Sequence, residues 1–293
     1  MTRPRMPLPQ LAAAVSMTVA FSLAILKLWG GWLTHTMTLW SLMVDSALDL
    51  LASGMNYYFI RKSYHPPNAT FPYGYGKAQS VAALSQAYII AFSSLVLGYQ
   101  SVLQVIAPRP LNRLDWGMAI LAISWTATCG LMIFLRWVAH KTGSLAVRAD
   151  SFHYETDLLT NLGGIISLGL VRYLGWRISD GIFGLVIVGY MLFGALRIAR
   201  QSIEDLLDRT LSPEENQRIM EIIHNFHPAI RNPHDFRSRR SGHRIFIEFH
   251  IEVDRSYTFE EAHELAEDLI DRIREEFPNA ELTVHVDPEG ATR

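Results

Sequence analysis

The stretch LWSLMVDSALDLLASGMNYYFI, residues 39–60, has the length and apolar content of a bilayer-crossing helix, yet it carries Asp45 and Asp49. Four residues separate the two acids, so on a helix they share one face, one turn apart. An acidic side chain at mid-bilayer costs roughly 2.5–3.5 kcal/mol on an insertion scale, and two cost about 5–7 kcal/mol. Another part of the chain must offset that penalty.

The surroundings are those of a membrane protein. The chain has 293 residues, 49% of them hydrophobic, and a mean hydropathy of +0.14. That length accommodates one membrane unit and a small soluble domain. Segments long enough to cross a bilayer occur at roughly 11–33, 39–61, 78–106, 116–138, 145–172 and 178–200, which predicts six transmembrane helices. Three of the six are interrupted by charge, so hydropathy alone undercounts them. MTRPRMPLPQ, residues 1–10, places two arginines ahead of an apolar run as a signal peptide does. No small-residue cleavage site follows, and the expectation is a retained first helix. Gly163, Gly164, Gly181, Gly184, Gly189 and Gly194 mark close helix packing in the fifth and sixth segments.

Charge gives orientation and division. Arg3, Arg5, Arg61, Lys62, Lys77, Arg136, Lys141, Arg148, Arg197 and Arg200 fall on one side of the expected membrane. Arg109, Arg113, Arg172 and Arg177 fall on the other, which predicts both termini in the cytoplasm of a multi-pass inner (plasma) membrane protein. Lys27, near the outer end of the first segment, is read as snorkelling to the interface. Residues 1–208 hold 15 Lys+Arg against 10 Asp+Glu, a net +5; residues 209–293 hold 11 against 18, a net −7. Seven of the eleven histidines lie after residue 208. The chain therefore divides into a transport domain, 1–208, and a cytoplasmic domain, 209–293, whose acidic, His-rich character suits cations and excludes nucleic acid. The single cysteine, Cys129, excludes an intrachain disulfide and any CxxC zinc site.

The counterpart of the two aspartates lies in the fifth segment, SLAVRADSFHYETDLLTNLGG, residues 144–164. His153 and Asp157 are again four apart, and Asp150 lies on their face one turn earlier. Asp49 and Asp157 each stand about 12 residues, or 18 Å, from the inner end of their segments. Side by side, the two helices present Asp45, Asp49, His153 and Asp157 to one point. Three carboxylates and one imidazole suit a divalent ion, zinc above all, and each takes a proton when the metal leaves. Simple charge pairing fails as an explanation, because three acids face one weak base with no Lys or Arg at that depth. Glu155 points off this face.

VDSALD in the second segment, ADSFHYETD in the fifth, six helices and a His-rich tail resemble the cation diffusion facilitators, and most of all their bacterial ferrous-iron/zinc efflux branch. The resemblance covers essentially the whole chain. It implies a homodimer in the lipid bilayer that exports divalent metal (zinc, cadmium or ferrous iron) in exchange for protons. It also implies a charge pair between subunits from Lys77 and Asp208. The family commonly carries a further metal site in the loop HPPNATFPYGYGKAQS, residues 65–80. Here the matching positions are Asn68, Phe71 and Tyr75, none a good zinc ligand, so that site is expected to be absent.

The tail reads as αββαβ, a ferredoxin-like, metallochaperone-like α+β domain. SPEENQRIMEIIHNF opens with a capping box and a proline at the first helical position. HDFRSRRSGHRIFIEFHIEV reads as two strands around a Ser-Gly turn, TFEEAHELAEDLIDRIREEF as a capped amphipathic helix, and AELTVHVDP as a closing strand. His285 and Asp287 share one strand face, His250 lies on a neighbouring strand and His263 on the helix. With His234 they match the tail site the resemblance implies, able to hold one or two zinc ions. His224, His227 and His243 match nothing in it. The basic run RSRRSGHR is expected to be solvated at a hairpin tip.

An enzyme, such as an intramembrane metalloprotease, is disfavoured because no HExxH occurs. A metal-sensing scaffold without transport is the alternative, disfavoured because a sensor needs no costly buried acids.

Overall fold

The structure, a computed structural model, describes residues 6–34, 37–107, 117–176 and 178–290; within these, the side chains of 27, 30–34, 37–48, 117–122, 168 and 172 are not described. Asp45 and Lys27 are among the latter, so the expectations placed on their side chains lie outside the described residues.

Among the described residues, six long helices come first: α1 (Leu8–Thr34), α2 (Met37–Ser63), α3 (Ala78–Ile106), α4 (Gly117–Thr142), α5 (Leu145–Leu174) and α6 (Ser179–Leu206). The shortest, α4, has 26 residues, about 39 Å of helix against a hydrocarbon layer of about 30 Å. Leu8–Leu26 within α1, all of α3 and all of α6 are long and apolar enough to cross a membrane by length and composition. Charged residues punctuate α2 and α5: α2 holds Asp45 and Asp49, and α5 holds Arg148, Asp150, Glu155 and Asp157.

The chain forms two compact units, Met1–Gly74 with Ala78–Ile203, and Tyr75–Lys77 with Glu204–Arg293. In the first, α1 packs on α2 and α4, α4 on α5, and α3 on both α2 and α5. Small side chains permit the close approach. Ala12, Ala13, Ala82 and Ala146 interleave with Ile60, Leu131, Leu135 and Val138, while Ala83, Ala87 and Ala149 meet Ile198. A Cβ on Gly194 would fall 1.9 Å from the Phe152 ring, and Gly163, Gly181 and Gly184 are similarly crowded. Gly164 and Gly189 meet nothing within 4 Å, so these two take no part in close packing among the described residues. Ser144 caps α5, donates to Gln79 at 2.8 Å, and Gln79 donates to Ser63 at 3.1 Å, tying the neighbouring ends of α2, α3 and α5. Phe92, Leu95, Ile133, Ile165, Phe193 and Leu196 point outward and exposed, an apolar exterior suited to lipid.

The second unit adds α7 (Pro213–Phe226), β1 (Ile230–Ser241), β2 (Arg244–Val253), α8 (Phe259–Glu276) and β3 (Ala280–Pro288). Ser212 and Thr258 each close a capping box, with Glu215 and Glu261. β2 is central, antiparallel to β1 and parallel to β3. Its residues Ile245, Ile247, Phe249, Ile251 and Val253 bury against Ile219 and Ile223 of α7 and Leu269 and Ile273 of α8. Alternation turns Phe246, Glu248, His250 and Glu252 to the opposite face.

The segment Tyr75–Lys77 belongs to this unit. Lys77 Nζ pairs with Asp208 Oδ1 at 2.7 Å and donates to the Leu206 carbonyl at 2.8 Å, and Arg239 adds a second bond to Asp208 at 3.1 Å. A Cβ on Gly76 would lie 2.2 Å from the Ser241 carbonyl oxygen, so this approach needs glycine. Within the single chain, close packing of Gly76 on the β1 end brings Lys77 to its own Asp208.

Candidate metal centres

In the first unit, the i,i+4 spacing on α5 puts His153 and Asp157 on one face, and the approach of α2 brings Asp49 to it. His153 Nε2 lies 3.2 Å from Asp49 Oδ1 and 3.8 Å from Asp157 Oδ2. Ligand atoms of the three residues all lie within 4.8 Å of one another. Two ligands of a tetrahedral ion with bonds of 2.0–2.1 Å stand about 3.3 Å apart. The observed separations bracket that value, so small movements suffice to seat an ion. The imidazole nitrogen that would bind the ion faces the Asp49 carboxylate at hydrogen-bond distance. One set of atoms can thus hold either a proton or a metal.

Asp150 is buried on the same helix but outside this cluster. Glu155 points elsewhere, accepting a 2.8 Å hydrogen bond from Tyr190. Sequence reasoning missed the polar layer below the cluster, where Tyr154 and Ser53 lie 2.9 Å apart and Ser16 bonds to Tyr154 at 3.2 Å. Extending the Asp45–Asp49 face by further turns would have found Ser53 and Asn56. Nothing local in the sequence marks Ser16 as their neighbour.

In the second unit, the open sheet face aligns three strands. His234 pairs with His250 across β1–β2, and His250 pairs with His285 across β2–β3. Asp287 is the hub. Its Oδ2 lies 3.2 Å from His250 Nδ1 and 3.7 Å from His234 Nε2, and its Oδ1 lies 3.3 Å from His285 Nε2. His234, His250 and Asp287 form the cluster with ligand atoms within 4.8 Å. Two imidazoles and a carboxylate with these separations fit zinc. His285 is the more exposed neighbour, its side chain 62% accessible. His263 is not brought into the cluster. It stacks on Phe259, ring centroids 6.4 Å apart, and lines a cavity of about 460 Å³ that His285 and Asp287 also border. Its place on α8, and not on the sheet, keeps it outside the row of strand histidines.

The loop after α2 uses Asn68 for shape. Its Oδ1 accepts from the backbone N–H groups of Thr70 and Phe71 at 3.1 and 2.8 Å, closing a turn.

Two acids and an imidazole shared between two helices of an apolar-faced bundle, with a second His–Asp cluster on a separate unit, are the donor sets of a cation transporter of the membrane, the class to which the chain's relatives belong. The chain belongs to the cation efflux family: residues 13–207 match the cation efflux transmembrane domain, and residues 211–289 the cytoplasmic domain of cation efflux proteins. It is 39% identical over 281 residues to the cation-efflux pump FieF of Pectobacterium atrosepticum, covering 96% of this chain and 93% of that one. The FieF protein of Citrobacter koseri is 37% identical over 277 residues, covering 94% and 92%. The metal-bound C-terminal domain of the CzcD transporter from Thermotoga maritima is 33% identical, covering 27% of this chain and 93% of that one, with a TM-score of 0.26.

Proposed function

We propose that this protein is a divalent metal/proton antiporter that exports zinc, cadmium or ferrous iron from the cytoplasm by alternating access. The transport domain comprises residues 1–208 and crosses the inner membrane six times, with both termini inside. Asp45, Asp49, His153 and Asp157 carry the ion. The cytoplasmic domain, residues 209–293, joins two copies into a homodimer and holds zinc through His234, His250, His263, His285 and Asp287. His263 borders that centre from α8.

One observation carries the reading: Asp49 on α2 meets His153 and Asp157 on α5 with ligand atoms within 4.8 Å. Two carboxylates against one imidazole leave net negative charge in a costly place unless a cation neutralises it. Metal arrival displaces the proton on His153 Nε2 and any proton on the acids; protons arriving from the opposite side displace the metal. The exchange needs no covalent step, only alternation of which side reaches the site.

The test is metal-dependent proton flux in proteoliposomes holding the purified protein, with zinc, cadmium and ferrous iron supplied in turn. Coupled, opposite movement of metal and protons is expected. Metal binding without flux for any of the three would favour the sensing scaffold instead.

A further inference from the structure

The open face of β2 holds a buried acid, Glu252, that belongs to neither metal cluster, only 5% exposed. Its two oxygens reach different segments. Oε1 accepts from Asn232 Nδ2 at 2.8 Å, and Oε2 accepts from the Gly290 backbone N–H at 3.0 Å. Neither bond belongs to the sheet ladder. One segment lies just before His234 in β1; the other lies just after Asp287 at the end of β3.

The Asn232 limb bears on the imidazole. β1 shifts register between Arg231 and His234, and within that shift Asn232 has φ 41°, a left-handed conformation that side chains other than glycine rarely adopt. The same Asn232 offers its carbonyl oxygen to His234 Nδ1, 2.9 Å away. An N–H at Nδ1 donating there leaves Nε2 as the free lone pair, and Nε2 is the atom that faces Asp287. The Gly290 limb bears on the carboxylate, because Glu252 and Asp287 are paired positions in the parallel β2–β3 register. Gly290 itself has φ 76°.

We propose that Glu252 is a positioning residue of the cytoplasmic metal centre: its carboxylate clamps the Asn232 bulge and the Gly290 turn, so that His234 Nε2 and the Asp287 carboxylate face one ion. Hydrogen-bonded partners of metal ligands characteristically fix tautomer and orientation in this way. Burying a carboxylate is costly, and a bulge could be closed more cheaply by apolar packing. A clamp holding two ligand-bearing segments accounts for the acid at this position. The inference rests on the reading of the tail cluster as a zinc centre.

The test uses full-length protein carrying Asp49→Ala and Asp157→Ala, so that metal bound by the membrane site does not obscure the tail. Zinc is titrated calorimetrically, and cobalt(II) reports ligand geometry through its visible spectrum. Glu252→Ala and Glu252→Gln should weaken zinc binding by about tenfold to a hundredfold and shift the cobalt bands. Asn232→Gly keeps the left-handed backbone and the carbonyl but cuts the link to Glu252. It should weaken binding too, and replacing Glu252 in that background should cost less than in its absence. Should Glu252→Ala not fold, Glu252→Gln and Asn232→Gly carry the test alone. Wild-type affinity and spectrum in both would overturn the proposal. His250→Ala with Asp287→Ala separates the two failures. Zinc still bound there would remove the tail centre and the role of Glu252 with it; zinc lost there, with the Glu252 variants unaffected, would remove only the positioning role.

Discussion

The two His–carboxylate clusters have nearly the same internal spacing, 3.2 and 3.8 Å in the helical unit and 3.2 and 3.7 Å on the sheet, but the opposite balance of charge: two carboxylates and one imidazole in the first, one carboxylate and two imidazoles in the second. The imidazoles also differ in exposure, 7% for the His153 side chain against 37% for His250, whereas the carboxylates do not, Asp49 and Asp157 being 28% and 37% accessible and Asp287 24%. On the proposed reading, the two acids that share one imidazole between helices need a cation beside them, so a departing metal is replaced by protons. On the sheet, the single carboxylate already has two imidazoles beside it, so on the same reading the ion comes or goes without an obligatory exchange partner. Equal spacing would then serve different tasks in the proposed transporter: obligatory exchange in the first cluster, adjustable occupancy in the second.

The largest expected effect comes from removing a carboxylate where it has no substitute. Asp49→Ala or Asp157→Ala should abolish metal-driven proton movement in proteoliposomes, while insertion and dimerisation persist. Wild-type flux in either variant would erase the contrast between the clusters. Next is His153→Asp, which replaces the nitrogen ligand with a harder oxygen. Relative transport of manganese over zinc and cadmium should rise, and unchanged ratios across these metals would remove His153 as a ligand. A smaller effect is expected from His250→Ala with Asp287→Ala. Transport should remain measurable with an altered metal dependence; complete loss, with the membrane helices intact, would put the tail on the ion's route.

Asp208 allows a test by pH. Partial burial opposes its charged form, but hydrogen bonds and charge from Lys77 and Arg239 outweigh that and hold its carboxyl below the usual range. A depressed folded-state pKa means the stabilisation is full above the ordinary carboxylate pKa and fades as pH falls through the lowered value. With Asp208 about half exposed, the contribution is about 0.2–1 kcal/mol and screened by salt. Asp208→Asn should lower thermal stability slightly at neutral pH and not at strongly acidic pH. An equal deficit at both would assign the effect to something other than the ion pair. The smallest effect is a null one: replacing Asn68, Phe71 and Tyr75 together with alanine should leave metal stoichiometry unchanged. Loss of one bound zinc per subunit would reveal a third centre.

Much of this was legible before any tertiary contact was known. The expected apolar segments coincide with α1 to α6 within a few residues, because long apolar runs bounded by Pro, Gly and charge admit little else. The i,i+4 pairs fixed Asp45 with Asp49 and His153 with Asp157 on single helix faces, since 3.6 residues per turn leaves no alternative. Alternation in RIFIEFHIEV separated the core side of β2 from the side bearing His250 and Glu252.

Local periodicity says which residues share a face; it does not say which faces meet. Packing alone brought Asp49 to within 3.2 Å of His153, one hundred and four positions away. It also left His263 on Phe259, outside the cluster, and joined Lys77 to Asp208 of its own chain. The bulge around Asn232 departs from regular strand geometry, so no alternation pattern could foresee that Glu252 reaches both ends of the histidine row. The sequence determined the elements and the chemistry each one carries. Tertiary structure decided the company those side chains keep, because distances between elements depend on close approach at small residues and on backbone conformations that no repeating pattern encodes.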